Sequence, residues 1–216
     1  MVTLTPDGPQ LAAPFYLHPA EHPTAWEFLR QGPLGLAFAV VNVASGPGPE
    51  GDPYYTEALR PGIRTPLLGY VNTGYGQRDA DAVRRDAATW RERYGVSGVM
   101  LDCVSTDAPS TTLELIGALR ADGATKVALN PGAPCAPEVV AAADVTCVSE
   151  CAWSTYAGLA WPDRPAAGPT WHLVHGVPLA DITAARDVAA RRGAAFVWVT
   201  DATLPNPYAR LPEAWP

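Results

Sequence analysis

GVMLDCVSTDAPSTTLELIGALR, residues 98–120, holds the fold in one unit. A short apolar run, 98–101, ends on a carboxylate, Asp102. A loop of small and turn-forming residues follows. Leu113, Ile116 and Leu119 then recur at helical spacing. The same strand-then-helix unit repeats on both sides of it. Strands are expected at 15–17, 36–42, 66–71, 98–102, 126–130, 145–149, 170–175 and 195–200. Helices are expected from His22 (HPTAWEFLR), from Asp52 (DPYYTEALR) and over 79–94, where Val83, Ala87 and Trp90 share a face. APEVVAAA and DITAARDVAARR continue the series, the latter with Asp181 as candidate N-cap. The stretch after Glu150 shows the least clear pattern. Strict β-then-α alternation predicts a parallel sheet with helices outside it. Eight units predict one closed (β/α)8 barrel over 1–216. The rival, an open doubly wound sheet, usually carries a glycine-rich phosphate turn after its first strand.

The 216 residues suffice for one sizeable core, and the 48% of hydrophobic residues exclude a disordered chain. No apolar run is long enough to span a membrane. A net charge of -7 and 15 scattered basic residues disfavour a nucleic-acid partner. The amino-terminal stretch has neither a basic nor an apolar signal region, so a cytoplasmic location is expected for the chain as it stands. Cys103, Cys135, Cys147 and Cys151 match no short-loop metal pattern and are expected as free thiols. His172 and His175 stand at i and i+3 of a strand and face opposite sides, so no metal is expected there. GPGPEG at 46–51 formally matches a dinucleotide turn. Pro47 and Pro49 lack the N–H donors such a turn needs, and no cofactor is expected.

In such barrels the active site forms where the strands end at their C-termini. Those ends read His18, Asn42, Asn72, Asp102, Asn130, Glu150, His175 and Asp201. Polar residues there also serve as caps of the next helix. Asp102 and Glu150 put two carboxylates on one rim, the equipment of glycoside hydrolysis. Tyr16, Tyr70, Tyr75, Trp153, Tyr156 and Trp198 fall on strands near that rim or in the loops after them. Amphipathic rings suit a sugar, although core packing is the other use of each.

These fragments, in order, resemble the spherulation-specific family 4 (spherulin-4-like) proteins, grouped with glycoside hydrolase family 135. They are YLHP (16–19), VNVASGPG (41–48), LGYVNTGYGQR (68–78), GVMLD (98–102) and LNPG (129–132). SECAWSTY (149–156), VHGVP (174–178), TDATLPNPYARLP (200–212) and Trp215 complete the set. The resemblance implies a (β/α)8 barrel that cleaves an α-1,4-linked, galactosamine-containing polysaccharide. It implies Asp102 as nucleophile and Glu150 as acid/base. Tyr16, His18, Asn42, Tyr70, Tyr75, Asn130, Tyr156 and His175 are the expected substrate-binding residues. The family commonly reads Asp-Glu where this chain has Asp102-Cys103. That departure leaves two alternatives beside the glycosidase: a non-hydrolytic glycan-binding barrel, and an intracellular enzyme acting on a small molecule at the same rim. If Asp102 points into the site, Cys103 should point to the helix layer or sit at the start of the loop.

Overall fold

A computed structural model describes residues 8–32, 35–162 and 166–212; Trp215 lies outside them. Eight parallel strands close into a barrel in sequence order. They are β1 (Gln10–Phe15), β2 (Phe38–Val41), β3 (Leu67–Asn72), β4 (Gly98–Asp102), β5 (Lys126–Asn130), β6 (Val145–Ala152), β7 (Thr170–His175) and β8 (Phe196–Val199). The helices between them are α1 (Pro23–Gln31), α2 (Pro53–Ala58), α3 (Ala80–Tyr94), α4 (Pro109–Ala121), α5 (Pro137–Ala142), α6 (Trp153–Gly158) and α7 (Ile182–Arg191). The pairing of β1 with both β2 and β8 closes the ring.

Helix starts follow the sequence signals. Asp52 caps α2 by accepting the N–H groups of Tyr54 and Tyr55, and Asp79 caps α3 by accepting that of Ala82. Asp181 stands at the N-cap position of α7 but its carboxylate makes no capping bond. The first strand lies upstream of the expected 15–17. Its Ala-Ala-Pro run reads poorly as strand, yet Ala12 and Ala13 are fully buried. Ala12 also offers its carbonyl to the Trp171 indole at 3.2 Å. Tertiary packing outweighs propensity here.

Alternation along each strand sorts the side chains into two layers. Phe38, Trp171 and Phe196 pack together inside the lower barrel. Phe15 points out, edge-on to Trp26 of α1. Gly69 of β3 also faces out, and a Cβ there would lie 2.4 Å from Trp90 of α3. Only glycine lets that indole reach the strand, where its N–H donates to the Tyr70 carbonyl at 2.8 Å. β6 breaks the alternation. Cys147 pairs with Trp171 but Ser149 pairs with His172, so Val148 is an extra residue, a β-bulge. Cys147 therefore shares the inner face with Trp171, and Glu150 shares it with Leu173.

Candidate active site

The inner-face residues at the strand ends form a tyrosine-rich mouth around Asp102 and Glu150. Tyr70 of β3 donates its hydroxyl to Asp102 Oδ2 at 2.6 Å. Asn72 supports that phenol from 3.3 Å. On the other side, Tyr208 donates to Glu150 Oε1 at 2.7 Å, and Asn130 donates to Oε2 at 2.7 Å. Tyr16 stands between the two groups, edge-on to Tyr70 and to Tyr208, each at 5.8 Å. Burial first, then the charges of Asp102 and Glu150, hold the Tyr16 hydroxyl well above its ordinary pKa. Burial and the adjacent carboxylate do the same to Tyr70 through Asp102 and to Tyr208 through Glu150. All three phenols stay protonated at neutral pH and serve as donors.

Cys103 sits at the start of the loop, because the chain turns there into the left-handed region with φ 54°. The turn aims the thiol at the rim rather than at the helix layer. Its Sγ lies 3.7 Å from Asp102 Oδ2 and 3.7 Å from Asn72 Nδ2. Two bonds fix the turn: Tyr75 N–H and Thr73 Oγ1 both donate to the Cys103 carbonyl at 2.6 Å. Burial and the Asp102 charge push the thiol pKa up, so it is a donor beside the carboxylate rather than a thiolate. Tyr75, itself left-handed at φ 56°, is 65% exposed over this corner. Its hydroxyl pKa is raised, with neighbouring Cys103 the first cause.

The other expected residues divide. His175 is buried at the mouth; burial lowers its pKa although Glu150 acts to raise it. Asn130 is part of the Glu150 clamp. Asn42 spends its side-chain oxygen on its own loop, accepting Gly46 N–H at 2.9 Å. His18 stands apart from the carboxylates, 3.4 Å from Asp52 and edge-on to Tyr54 and Tyr55. Asp201 pairs with Arg210. Tyr156 is a correction. It is fully buried in the helix layer, with its hydroxyl 2.6 Å from His172 Nδ1 and Arg192 stacked on its ring. No ligand at the mouth reaches it. Trp153 packs against Tyr156, and Trp198 is buried in the barrel. His172 and His175 do face opposite sides, since His172 packs under Trp161. Among the described residues no three His, Cys, Asp or Glu side chains converge as a metal site would require. No helix among them is long and apolar enough to cross a membrane.

Sequence reasoning did not single out Tyr208. It arrives from the long segment after β8, within TDATLPNPYARLP, and no periodicity marks it.

The family model of the spherulation-specific family 4 matches residues 10–216. The chain belongs to that family. Spherulin-4 from Physarum polycephalum is 32% identical over 114 residues, which span 50% of this family member and 33% of the Physarum protein. Aspergillus clavatus Sph3, solved in complex with GalNAc, superposes with a TM-score of 0.76 at 26% identity. That match covers 96% of this chain and 94% of the other. A mandelate racemase/muconate lactonizing protein from Herpetosiphon aurantiacus matches with a TM-score of 0.51 at 14% identity. It covers 88% of this chain and 54% of the other, and shares the barrel alone.

Proposed function

We propose that this chain is a glycoside hydrolase acting on an α-linked, galactosamine-containing polysaccharide, with Asp102 as nucleophile and Glu150 as acid/base. The observation that carries the reading is the distribution of donors on the two carboxylates. Asp102 receives Tyr70 and the Cys103 thiol on the same oxygen, Oδ2. Its other oxygen has no donor among the described residues, as a group that must form a bond to carbon requires. Glu150 is held on both oxygens. One holder is a hydroxyl that can accept as well as donate, which suits a group that cycles a proton. The structural likeness to Sph3, solved with GalNAc, supports an amino sugar as the ligand.

In this scheme Glu150 protonates the leaving oxygen while Asp102 attacks the sugar carbon. Water then releases the glycosyl group with Glu150 as base. Tyr70 and Cys103 orient Asp102, and exposed Tyr75 offers a face for a sugar ring. His175 and Tyr16 line the reacting position. His18 and Asn42 belong to an outer part of the rim.

A non-hydrolytic glycan-binding barrel is the second reading, favoured by Cys103 where the family commonly has an acid. The purified chain, incubated with a galactosamine-containing polymer, separates the two. The glycosidase reading expects new reducing ends, lost by about 10³-fold or more in Asp102→Asn with the fold intact by circular dichroism. Retention of the polymer without release would favour the binding barrel.

A further inference from the structure

We infer that Tyr208 is the positioning residue that lets Glu150 alternate between holding a proton and giving it up. The inference rests on the glycosidase reading and deepens it. It begins with the two partners of Glu150, which differ in kind. The Asn130 amide nitrogen only donates, and Asn130 cannot flip to offer its oxygen instead. That oxygen is already occupied by the Gly132 N–H at 2.9 Å. Oε2 of Glu150 is thus fixed as an acceptor in both protonation states, and a proton on Glu150 belongs on Oε1.

Oε1 faces Tyr208, the one partner of Glu150 among the described residues that is able to reverse. With Glu150 ionised, the phenol donates to Oε1, as observed at 2.7 Å. With Glu150 protonated, the carboxyl O–H turns to donate and the phenol oxygen accepts. In the first half of the reaction the Oε1 proton turns from the phenol to the leaving glycosidic oxygen and is transferred there, and the phenol becomes the donor. In the second half Glu150 takes a proton from the attacking water, and the phenol becomes the acceptor again. Tyr208 never ionises, because burial and the Glu150 charge hold its hydroxyl far up. The ring is fixed independently of its hydroxyl. Tyr16 lies edge-on at 5.8 Å, and the Tyr208 N–H donates to Asn206 Oδ1 at 3.1 Å. Phenylalanine therefore keeps the packing and loses only the reversible bond.

The test is a pH titration of the Glu150 carboxyl carbon by 13C NMR in the full chain, beside the pH profile of kcat/KM. Tyr208→Phe removes a donor from the ionised form and an acceptor from the protonated form, and the bond to the charged form is the stronger. The expected result is a rise of about one pH unit in the midpoint, with the alkaline limb of kcat/KM moving the same way. Tyr54→Phe, which removes an exposed phenol beside His18 and keeps the Tyr208 hydroxyl, should leave the midpoint where it was. An unchanged midpoint in Tyr208→Phe, or an equal movement in Tyr54→Phe, overturns the inference. If no galactosamine polymer is cleaved, the glycosidase reading fails, while the carboxyl titration still decides what Tyr208 does to Glu150.

Discussion

At the end of β4 the chain turns one residue after Asp102, at Cys103 with φ 54°. At the end of β6 it inserts an extra residue, Val148, and runs on to Ala152. The bulge brings Glu150 to the inner face, whereas the turn sets the Cys103 thiol beside an Asp102 that unbroken alternation already points inward, and the two devices differ in cost. The β4 side stores its strain in a left-handed cysteine, tied down by Thr73 and Tyr75. The β6 side keeps extended backbone and gives up one ladder position. The supports behind them differ too. Behind Asp102 stand Tyr70 and Trp90 of α3; behind β6 and β7 stand Tyr156, His172 and Arg192. The teaching is that one rim can be assembled from unlike corners, each testable alone.

The largest effect should come from the buttress on the Asp102 side. Trp90 is fully buried and its N–H holds the Tyr70 carbonyl. Trp90→Ala should cost about 4 kcal/mol of stability in a urea melt, because the hole beside Gly69 has no side chain to fill it. A loss under about 1 kcal/mol would show that β3 is held from elsewhere.

Next comes the phenol on Asp102. Tyr70→Phe removes a bond to a charged group, so turnover should fall by about tenfold to a hundredfold with the fold intact by circular dichroism. Kinetics on a galactosamine polymer check this. An unaltered kcat would mean that Asp102 is oriented by the Cys103 corner alone.

The β6–β7 side should reveal itself through pH. Burial first, then the Arg192 charge, lower the His172 pKa to about 3 from an ordinary 6.5. Below about 6.5 the unfolded chain takes up a proton that the folded chain refuses until about 3. Stability therefore falls as pH drops through that window, by at most about 1.4 kcal/mol per pH unit. His172→Gln should flatten this loss between pH 7 and pH 5 by up to about 2 kcal/mol. Equal slopes in both proteins would remove His172 from the account.

The smallest effect should be at Cys103. Its thiol is held protonated, so Cys103→Ala should leave turnover within several-fold, and mild alkylators should label it slowly. Fast stoichiometric labelling with matching loss of activity would point to a cysteine nucleophile instead.

The two corners also differ in how far they could be read in advance. β4, β5 and β7 were legible to the residue, since an apolar run bounded by a polar end suffices when alternation is unbroken. Asp102 followed directly. Glu150 was read as a strand end, whereas β6 runs on to Ala152, and its inward aim was not legible. Counted from Cys147, strict alternation would send it to the outer face, and only the bulge at Val148 reverses that. Tyr156 misled for the complementary reason: an aromatic shortly after a strand end is equally a rim residue or the buried face of the next helix. Tyr208 carried no local signal, because its partner Glu150 is 58 residues away. Cys103 was open between two geometries, and positive φ in a non-glycine residue decided it.

The most direct test of the division of labour compares Asp102→Asn with Glu150→Gln on two substrates. One is a galactosamine polymer, and the other is a galactosamine oligosaccharide with an activated aryl leaving group. The aryl group departs without a proton, so loss of the acid should matter little in the step that releases it. Asp102→Asn should abolish the burst of phenol from the aryl substrate and all turnover of the polymer. Glu150→Gln should lose the polymer yet keep the phenol burst. Equal loss of both reactions in both variants would contradict distinct nucleophile and acid/base roles for this pair.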